Sequence, residues 1–390
     1  MTNINLYKFL KKKLKNTAYK GYPLDKVCGS FIAKIVWDFS YREIIFNLLF
    51  NPETIPKLKS NAVLCTYSTE RKDYHELMKS FFPDLTWDYV RPRGLGKAEF
   101  FHSKVFSGWA TALYLIAKLE KKDLGFRQLL ILFSIVVLAI KIVKRIEKYD
   151  LSCEQYICFN SSYLLESFFC YYFRIRGVPT LSLQHGMYFS YNNTVPLDVI
   201  NYENVCSDEL LCWGEYSKQQ IASLVPSDVN LTVAGYPYSS YTECKLNKDF
   251  YLVVLPRKIY LEQSIALVEM LLSLKIKLIV RPHPSIKSEI ESEFSDKGIL
   301  FGGENSLKED LKEFSYLGVI GFNTTALFEA LLYDQVVYCF DEANSEFENP
   351  GFGVFDGNGL KKSSSSLEKE FFYSRFNHDV LCEIKNKGSI

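Results

Sequence analysis

Short apolar runs that end abruptly in polar turns, each followed by a helix-like stretch, constrain this chain more than anything else in it. "NAVLCTY" (Asn61 to Tyr67), "EQYICFN" (Glu154 to Asn160), "VPTLSLQ" (Val178 to Gln184), "ELLCWG" (Glu209 to Gly214) and "LTVAG" (Leu231 to Gly235) are of this kind. After a polar, aperiodic stretch the pattern restarts with "FYLVVLP" (Phe250 to Pro256), "KIKLIV" (Lys275 to Val280), "KGILF" (Lys297 to Phe301), "YLGVIG" (Tyr316 to Gly321) and "QVVYCF" (Gln335 to Phe340). Strands buried on both faces read as continuous apolar runs, and their alternation with helices predicts parallel α/β sheets. At 390 residues the chain exceeds one ordinary core. The restart therefore predicts two Rossmann-like domains, 1–240 and 241–390, joined near "YPYSSYTECKLNKD" (Tyr236 to Asp249), with the terminal helix free to return to the first.

Composition removes several classes. Hydrophobic residues make up 48% and charged residues 23%, a globular balance. A net charge of +1 offers no field for nucleic acid. The ten cysteines form no CxxC pair and no zinc-spaced cluster, which predicts reduced, structural thiols and a cytoplasmic setting. The N-terminal twenty residues lack the apolar stretch of a signal peptide. "LLILFSIVVLAI" (Leu129 to Ile140) has twelve residues, short of the roughly 20 a bilayer span needs, and reads as a buried or monotopic helix. The basic face Lys8–Lys15 reads either as a solvated helix face or as a contact for anionic lipid at the inner membrane.

Three strand-to-helix junctions could carry chemistry, because ligands of open α/β sheets bind beyond the carboxyl ends of strands. The first is Gln184-His185-Gly186. Imidazole suits proton transfer near neutrality, and Gly186 permits close approach or positive φ. The second is Arg281-Pro282-His283-Pro284, where two prolines hold the imidazole in a rigid turn and both cations can face a departing phosphate. The third is Asn323-Thr324-Thr325 at a helix start, with Glu329 one turn on. Backbone N–H groups and hydroxyls there would suit a phosphate, and the carboxylate a ribose or sugar hydroxyl. Glu70, Asp73 and His75 follow the first strand, where an acceptor-activating base could sit. No P-loop, GxGxxG or DxD-like pair occurs in a convincing setting, since Asp84 and Asp88 lie too far apart; no metal or cofactor is expected. His102 and His378 have no informative context.

The ordered set Gln184-His185-Gly186, Trp213-Gly214-Glu215, "VAGYP" (Val233 to Pro237), Arg281–Pro284 and Thr324-Thr325…Glu329 resembles bacterial surface-polysaccharide glycosyltransferases of the GT-B architecture, in the capsule and lipopolysaccharide group. It is similar to the CDP-glycerol glycerophosphotransferases of teichoic acid synthesis, and bacterial sialyl- and Kdo-transferases share a related His-Pro and Ser/Thr pairing. The resemblance spans Tyr156 to Asp341. It implies two Rossmann-like domains facing across a cleft, with Gln184, Gly186 and Gly235 on its walls. It implies that Arg281, His283, Asn323, Thr324, Thr325 and Glu329 hold the nucleotide sugar. His185, with Glu70 or Asp73, would serve the acceptor as base, or His185 would steady the donor. "MYFSYNN" stands where glycerophosphotransferases carry lysine, which favours a sugar donor, with CMP- or CDP-linked donors ahead of UDP or GDP. The acceptor implied is a polysaccharide or lipid-linked glycan. The rival readings are a nucleotide-sugar 2-epimerase and a non-catalytic polysaccharide-assembly protein.

Overall fold

The computed structural model describes residues 2–37, 40–49, 55, 58–90, 106, 108–119, 123–190, 197–237, 245–340, 348–362 and 367–377. The expected boundary at 240/241, His102, His378, Cys244 and Cys382 lie outside them. A short hairpin, β1 (Ala18–Tyr19) with β2 (Tyr22–Pro23), precedes two larger sheets.

The first sheet contains β3 (Val63–Tyr67), β4 (Trp87–Tyr89), β5 (Gln155–Cys158), β6 (Thr180–Leu183), β7 (Glu209–Cys212) and β8 (Asn230–Val233), all parallel, in the order β4-β3-β5-β6-β7-β8. Every residue of β5 and β6 is buried, which explains their unbroken apolar sequence. One face is covered by helices Phe126–Ile146 and Leu164–Arg174, and outside them lie Asn3–Leu14 and Gly29–Trp37. Among the described residues no helix is long and apolar enough to cross a membrane. Phe126–Ile146 instead buries most of its length, Lys141 included, whose ammonium donates to Leu48 O. Burial pulls Lys141 down to about 8. Of the basic run at the N-terminus, Lys8, Lys12 and Lys15 are exposed. Lys11 turns inward and donates to Glu203 O (3.2 Å) and Asn204 Oδ1 (2.7 Å).

The second sheet contains β9 (Leu246–Val254), β10 (Leu278–Arg281), β11 (Leu300–Phe301), β12 (Phe314–Gly321), β13 (Val337–Phe340), β14 (Gly353–Phe355) and β15 (Leu360–Lys361), ordered β11-β10-β9-β12-β13-β14-β15. All pairs are parallel except β14–β15. The fold is thus α/β, with two Rossmann-like parallel sheets in a GT-B-like arrangement. Strand order reverses between β3 and β5 in the first sheet and between β9 and β12 in the second. These two switch points are where each sheet can accept a ligand.

Past β15 the chain crosses back. After one helical turn (Lys369–Phe372), Ser374 N–H donates to Trp213 O (2.9 Å), Tyr236 N–H to Ser374 O (3.0 Å) and Asn377 N–H to Ala234 O (3.0 Å). Two glycines make room for this strap. A Cβ on Gly214 would lie 2.4 Å from Phe372 O, and one on Gly235, whose φ is +81°, 2.3 Å from Arg375 O. Phe372 then packs on Tyr216 (centroids 4.8 Å apart), Phe328 (5.8 Å) and Phe352 (6.5 Å), while Phe189 stacks on Phe328 at 6.0 Å. Tyr216 and Phe189 belong to the first lobe, and Phe328 and Phe352 to the second. A single apolar seam therefore joins the lobes.

Gly235→Ala meets both the backbone of Arg375 and a left-handed φ. It is expected to cost about 1–3 kcal/mol and to raise proteolytic and hydrogen-exchange susceptibility at residues 367–377. Unchanged protection of that segment would show that the strap is not held there.

Candidate functional site

The carboxyl ends of both sheets open on one cleft of about 1070 Å³ between the lobes. In the second lobe, β12 approaches β9 so closely that a Cβ on Gly321 would lie 2.6 Å from Val254 O. The chain leaves this contact through Asn323, at φ +46°, a conformation asparagine tolerates better than most residues. Thr324 Oγ1 accepts the Ala326 N–H (3.3 Å), and Thr325 stands exposed. All three line the cleft. The helix they introduce, Ala326–Leu332, is only seven residues long, so side chains and turn geometry outweigh any dipole there. Glu329 also lines the cleft. Burial pushes its carboxyl up, opposed by Lys308 and Arg281 and reinforced by Asp73.

His283 ends β10 as the cap of a short turn. Its Nδ1 accepts the Ser285 N–H (3.1 Å) and lies 2.8 Å from Ser285 Oγ, which accepts the Lys258 N–H. The proton of the neutral ring is thereby assigned to Nε2, available as a donor at the cleft. Partial burial, then Arg257, lowers its pKa. Arg281 also lines the cleft. Its guanidinium donates to Asp310 and to Asn305 O (2.7 Å), so its charge is largely neutralised and it braces the Asn305–Ser306 loop.

In the first lobe, His185 sits half-buried among Tyr188, Phe159, Tyr74 and Tyr163, with centroids 5.5–6.0 Å away. Its Nδ1 is 2.8 Å from Tyr188 Oη. Loss of hydration, then the Arg71 charge, brings its pKa down to about 4. The ring is neutral throughout the physiological range. Gln184 does not line the cleft. It is buried behind the wall, where Nε2 donates to Gly186 O (2.7 Å) and Ser217 Oγ (2.8 Å) and Oε1 accepts the Trp213 N–H (2.7 Å). Gly235 likewise lies behind the wall, against the strap. Gly186 does line the cleft, with open space beside it, and does not use positive φ.

The loop after β3 behaves unevenly. Glu70 accepts from Tyr89 Oη (3.0 Å) and is absent from the cleft lining. Asp73 reaches the cleft but is ion-paired with Arg71 (2.5 Å), whose guanidinium lies 3.9 Å over the Tyr74 ring. His75 Nε2 contacts Thr69 O (3.0 Å), a bond that holds the loop. Sequence reasoning passed over Arg257, Lys308, Lys312 and Glu76, which line the cleft. Arg257 was findable, since it follows "VVLP" at the same kind of strand end. Lys308 was not, because its position depends on a 3.7 Å ion pair with Glu76 across the cleft. Among the described residues no group of three His, Cys, Asp or Glu converges.

The fold defines a two-lobed α/β protein with a cleft shared between the carboxyl ends of its two parallel sheets. No protein-family model matches the chain, and no curated protein matches it. Among solved structures it is similar to a UDP-N-acetylglucosamine 2-epimerase from Rickettsia bellii (14% identity over 84% of this chain and 88% of that one, TM-score 0.44). It is also similar to the wall teichoic acid polymerase TagF (12%, 95% and 92%, TM-score 0.39) and the lipopolysaccharide outer core galactosyltransferase WaaB (12%, 83% and 94%, TM-score 0.40). Likenesses this distant do not decide what the chain does.

Because the folded His185 holds its proton less tightly than the free side chain, it destabilises the fold as pH falls from 6.5 towards 4 and has no effect above 6.5. Imidazole NMR titration is expected to show one ring with a midpoint near 4, lost in His185→Gln. A midpoint near 6.5 would place the ring in water.

Proposed function

We propose that the protein is a metal-independent glycosyltransferase of the GT-B kind, moving a sugar from a nucleotide-activated donor to a surface polysaccharide or lipopolysaccharide acceptor. The observation that carries this reading is the convergence of the His283 turn, the Asn323–Thr325 turn and Glu329 on one side of a cleft whose other side holds His185. That combination supplies directed donors for a phosphate, an acceptor for sugar hydroxyls and a facing imidazole. In the reaction, the bond between the anomeric carbon and the donor phosphate oxygen breaks, and the electron pair leaves with the phosphate. The acceptor hydroxyl oxygen forms the new bond and gives up its proton.

His283 Nε2–H and the Thr324 and Thr325 hydroxyls would meet the leaving phosphate, where charge-assisted hydrogen bonds strengthen as it departs. Glu329 would accept from a ribose or sugar hydroxyl. Arg281 acts at one remove, holding the Ser306 loop through Asp310. His185 would take the acceptor proton. Its low pKa in the empty cleft rises when an anionic donor binds nearby, since an opposite charge favours the imidazolium. The epimerase alternative needs two converging carboxylates for acid and base work. Asp73 is ion-paired with Arg71 and Glu76 with Lys308, so these two carboxylates, which reach the cleft beside Glu329, are already engaged by cations. On the resemblance noted above the donor is CMP- or CDP-linked. The exposed Lys8, Lys12 and Lys15 are compatible with a peripheral place at the cytoplasmic face of a membrane.

A thermal-shift series with CMP, CDP, UDP and GDP tests the donor site, with stabilisation greatest for a cytidine nucleotide. His283→Ala and Thr324→Ala should each weaken nucleotide binding by about tenfold or more, the worth of a hydrogen bond to a charged group. No stabilisation by any of the four would remove the transferase reading in favour of a glycan-assembly protein.

A further inference from the structure

Glu166 is a wholly buried carboxyl that the proposed chemistry does not use. It lies near the start of the helix Leu164–Arg174, beneath the switch point of the first sheet. Its Oε2 is hydrogen-bonded to Ser68 Oγ, one residue past β3, and its Oε1 accepts the Asn160 N–H (3.3 Å), two residues past β5. One side chain thus ties together the two strand ends that flank the first lobe's ligand crevice. The loop that begins at Ser68 is the one that carries Arg71, Lys72 and Asp73 into the cleft.

A buried carboxylate needs a cation or several N–H donors to remain ionised. Glu166 makes no ion pair among the described residues. The groups that face it are neutral: Tyr156 and Cys158 on β5, and Tyr163 and Cys170 beside or on its own helix. The charged residues on the other elements packed against this helix are engaged elsewhere. Lys141 donates to Leu48 O, Lys26 pairs with Asp228 (2.9 Å), and Arg71 is taken by Asp73. Burial nevertheless outweighs the Ser68, Asn160 and Phe159 bonds and pushes the Glu166 carboxyl up to about 8.

We propose that Glu166 works as a neutral acid that pins the Ser68–Asp73 loop to the end of β5, and that its ionisation unpins the loop and loosens the acceptor side of the cleft. The protonated acid can share its proton with Ser68 Oγ while its other oxygen accepts from Asn160 N–H, so both bonds are satisfied without a buried charge. Loss of that proton leaves a buried anion with the Ser68, Asn160 and Phe159 donors but no counter-ion among the described residues, and the way to rehydrate it is to release Ser68 and the loop behind it.

The sign follows from linkage. The folded carboxyl titrates above the unfolded one, so its contribution is fully present below about 4.5 and is lost as pH rises towards about 8. Glu166→Gln, a neutral isostere, removes that dependence. In chemical denaturation of the full chain between pH 5 and 8, the unfolding constant of the wild type should climb by up to about tenfold per pH unit relative to Glu166→Gln. Above pH 8, amide exchange at residues 68–73 should rise in the wild type more than in the variant at the same pH. The functional arm rests on the transferase reading: turnover of the wild type should fall above pH 8, and that of the Gln variant should persist. Parallel stability curves, or a Gln variant that fails to fold, overturn the proposal. The stability and exchange arms use no substrate, so failure of the transferase reading leaves them standing.

Discussion

The cleft exists because the chain closes on itself twice: once through the aromatic seam of Phe189, Tyr216, Phe328 and Phe372, and once through the strap that lays residues 373–377 along Trp213, Ala234 and Tyr236. Neither lobe alone brings His185 opposite His283. Aromatic pairs of this kind contribute about 0.5–1.5 kcal/mol each beyond the area they bury, and Phe372 makes three contacts that together span both lobes and the strap. Packing on one side of the molecule thereby sets the separation of the two walls, while across the cleft the exposed Glu76–Lys308 pair links them. Exposed pairs of this sort contribute little, so the aromatic seam does far more to hold the lobes together than the Glu76–Lys308 pair.

The parallel strands were legible because they are buried on both faces. "EQYICFN", "TLSL" and "QVVYCF" contain β5, β6 and β13 within a residue or two of their ends. β9 runs four residues further back than the apolar sequence suggests, since Leu246 to Lys248 pair with β12 while Leu246, Asn247 and Asp249 stay exposed. β4 ("WDY"), β14 and β15 were missed, being short and on or near sheet edges. The apolar run Leu129 to Ile140 lies within a longer helix, Phe126–Ile146, which begins just after Gly125. The basic first sixty residues showed weak periodicity, yet they hold helices that cover the first sheet, which tertiary packing stabilises without help from pattern.

For the site, residue type and position at strand ends carried most of the information, and pairing carried none. Nothing in "RPHP" shows that Asp310, on another helix, takes the Arg281 charge, or that Ser285 fixes the His283 tautomer. Gln184 looked like a wall residue because it adjoins His185. Just past the end of β6 its amide turns inward instead, where bonds to Gly186 O, Ser217 Oγ and the Trp213 N–H tie that strand end to the end of β7. Glu166 did leave a trace. It is the one acid in "LLESFFCYYF", an otherwise apolar helix, and a lone charge in such a run must find a partner, lose its charge or serve a purpose.

That lone acid and the two histidines share a physical theme. Burial raises the Glu166 carboxyl and lowers both imidazoles, so each is biased towards its neutral form. At these positions the cleft offers directed N–H and O–H donors, with low local polarity that sharpens them, while Arg257, Lys308 and Lys312 line it with positive charge. On the proposed reading, the charge that organises the site arrives with the donor phosphates. Their field raises the affinity of His185 for a proton, so the base strengthens only once the leaving group is in place. Water entering an empty cleft meets a weak base, and the acceptor hydroxyl entering a loaded one meets a stronger base. Burial thereby couples substrate occupancy to proton transfer without any moving part, and the aromatic ring of contacts around His185 is what that coupling requires.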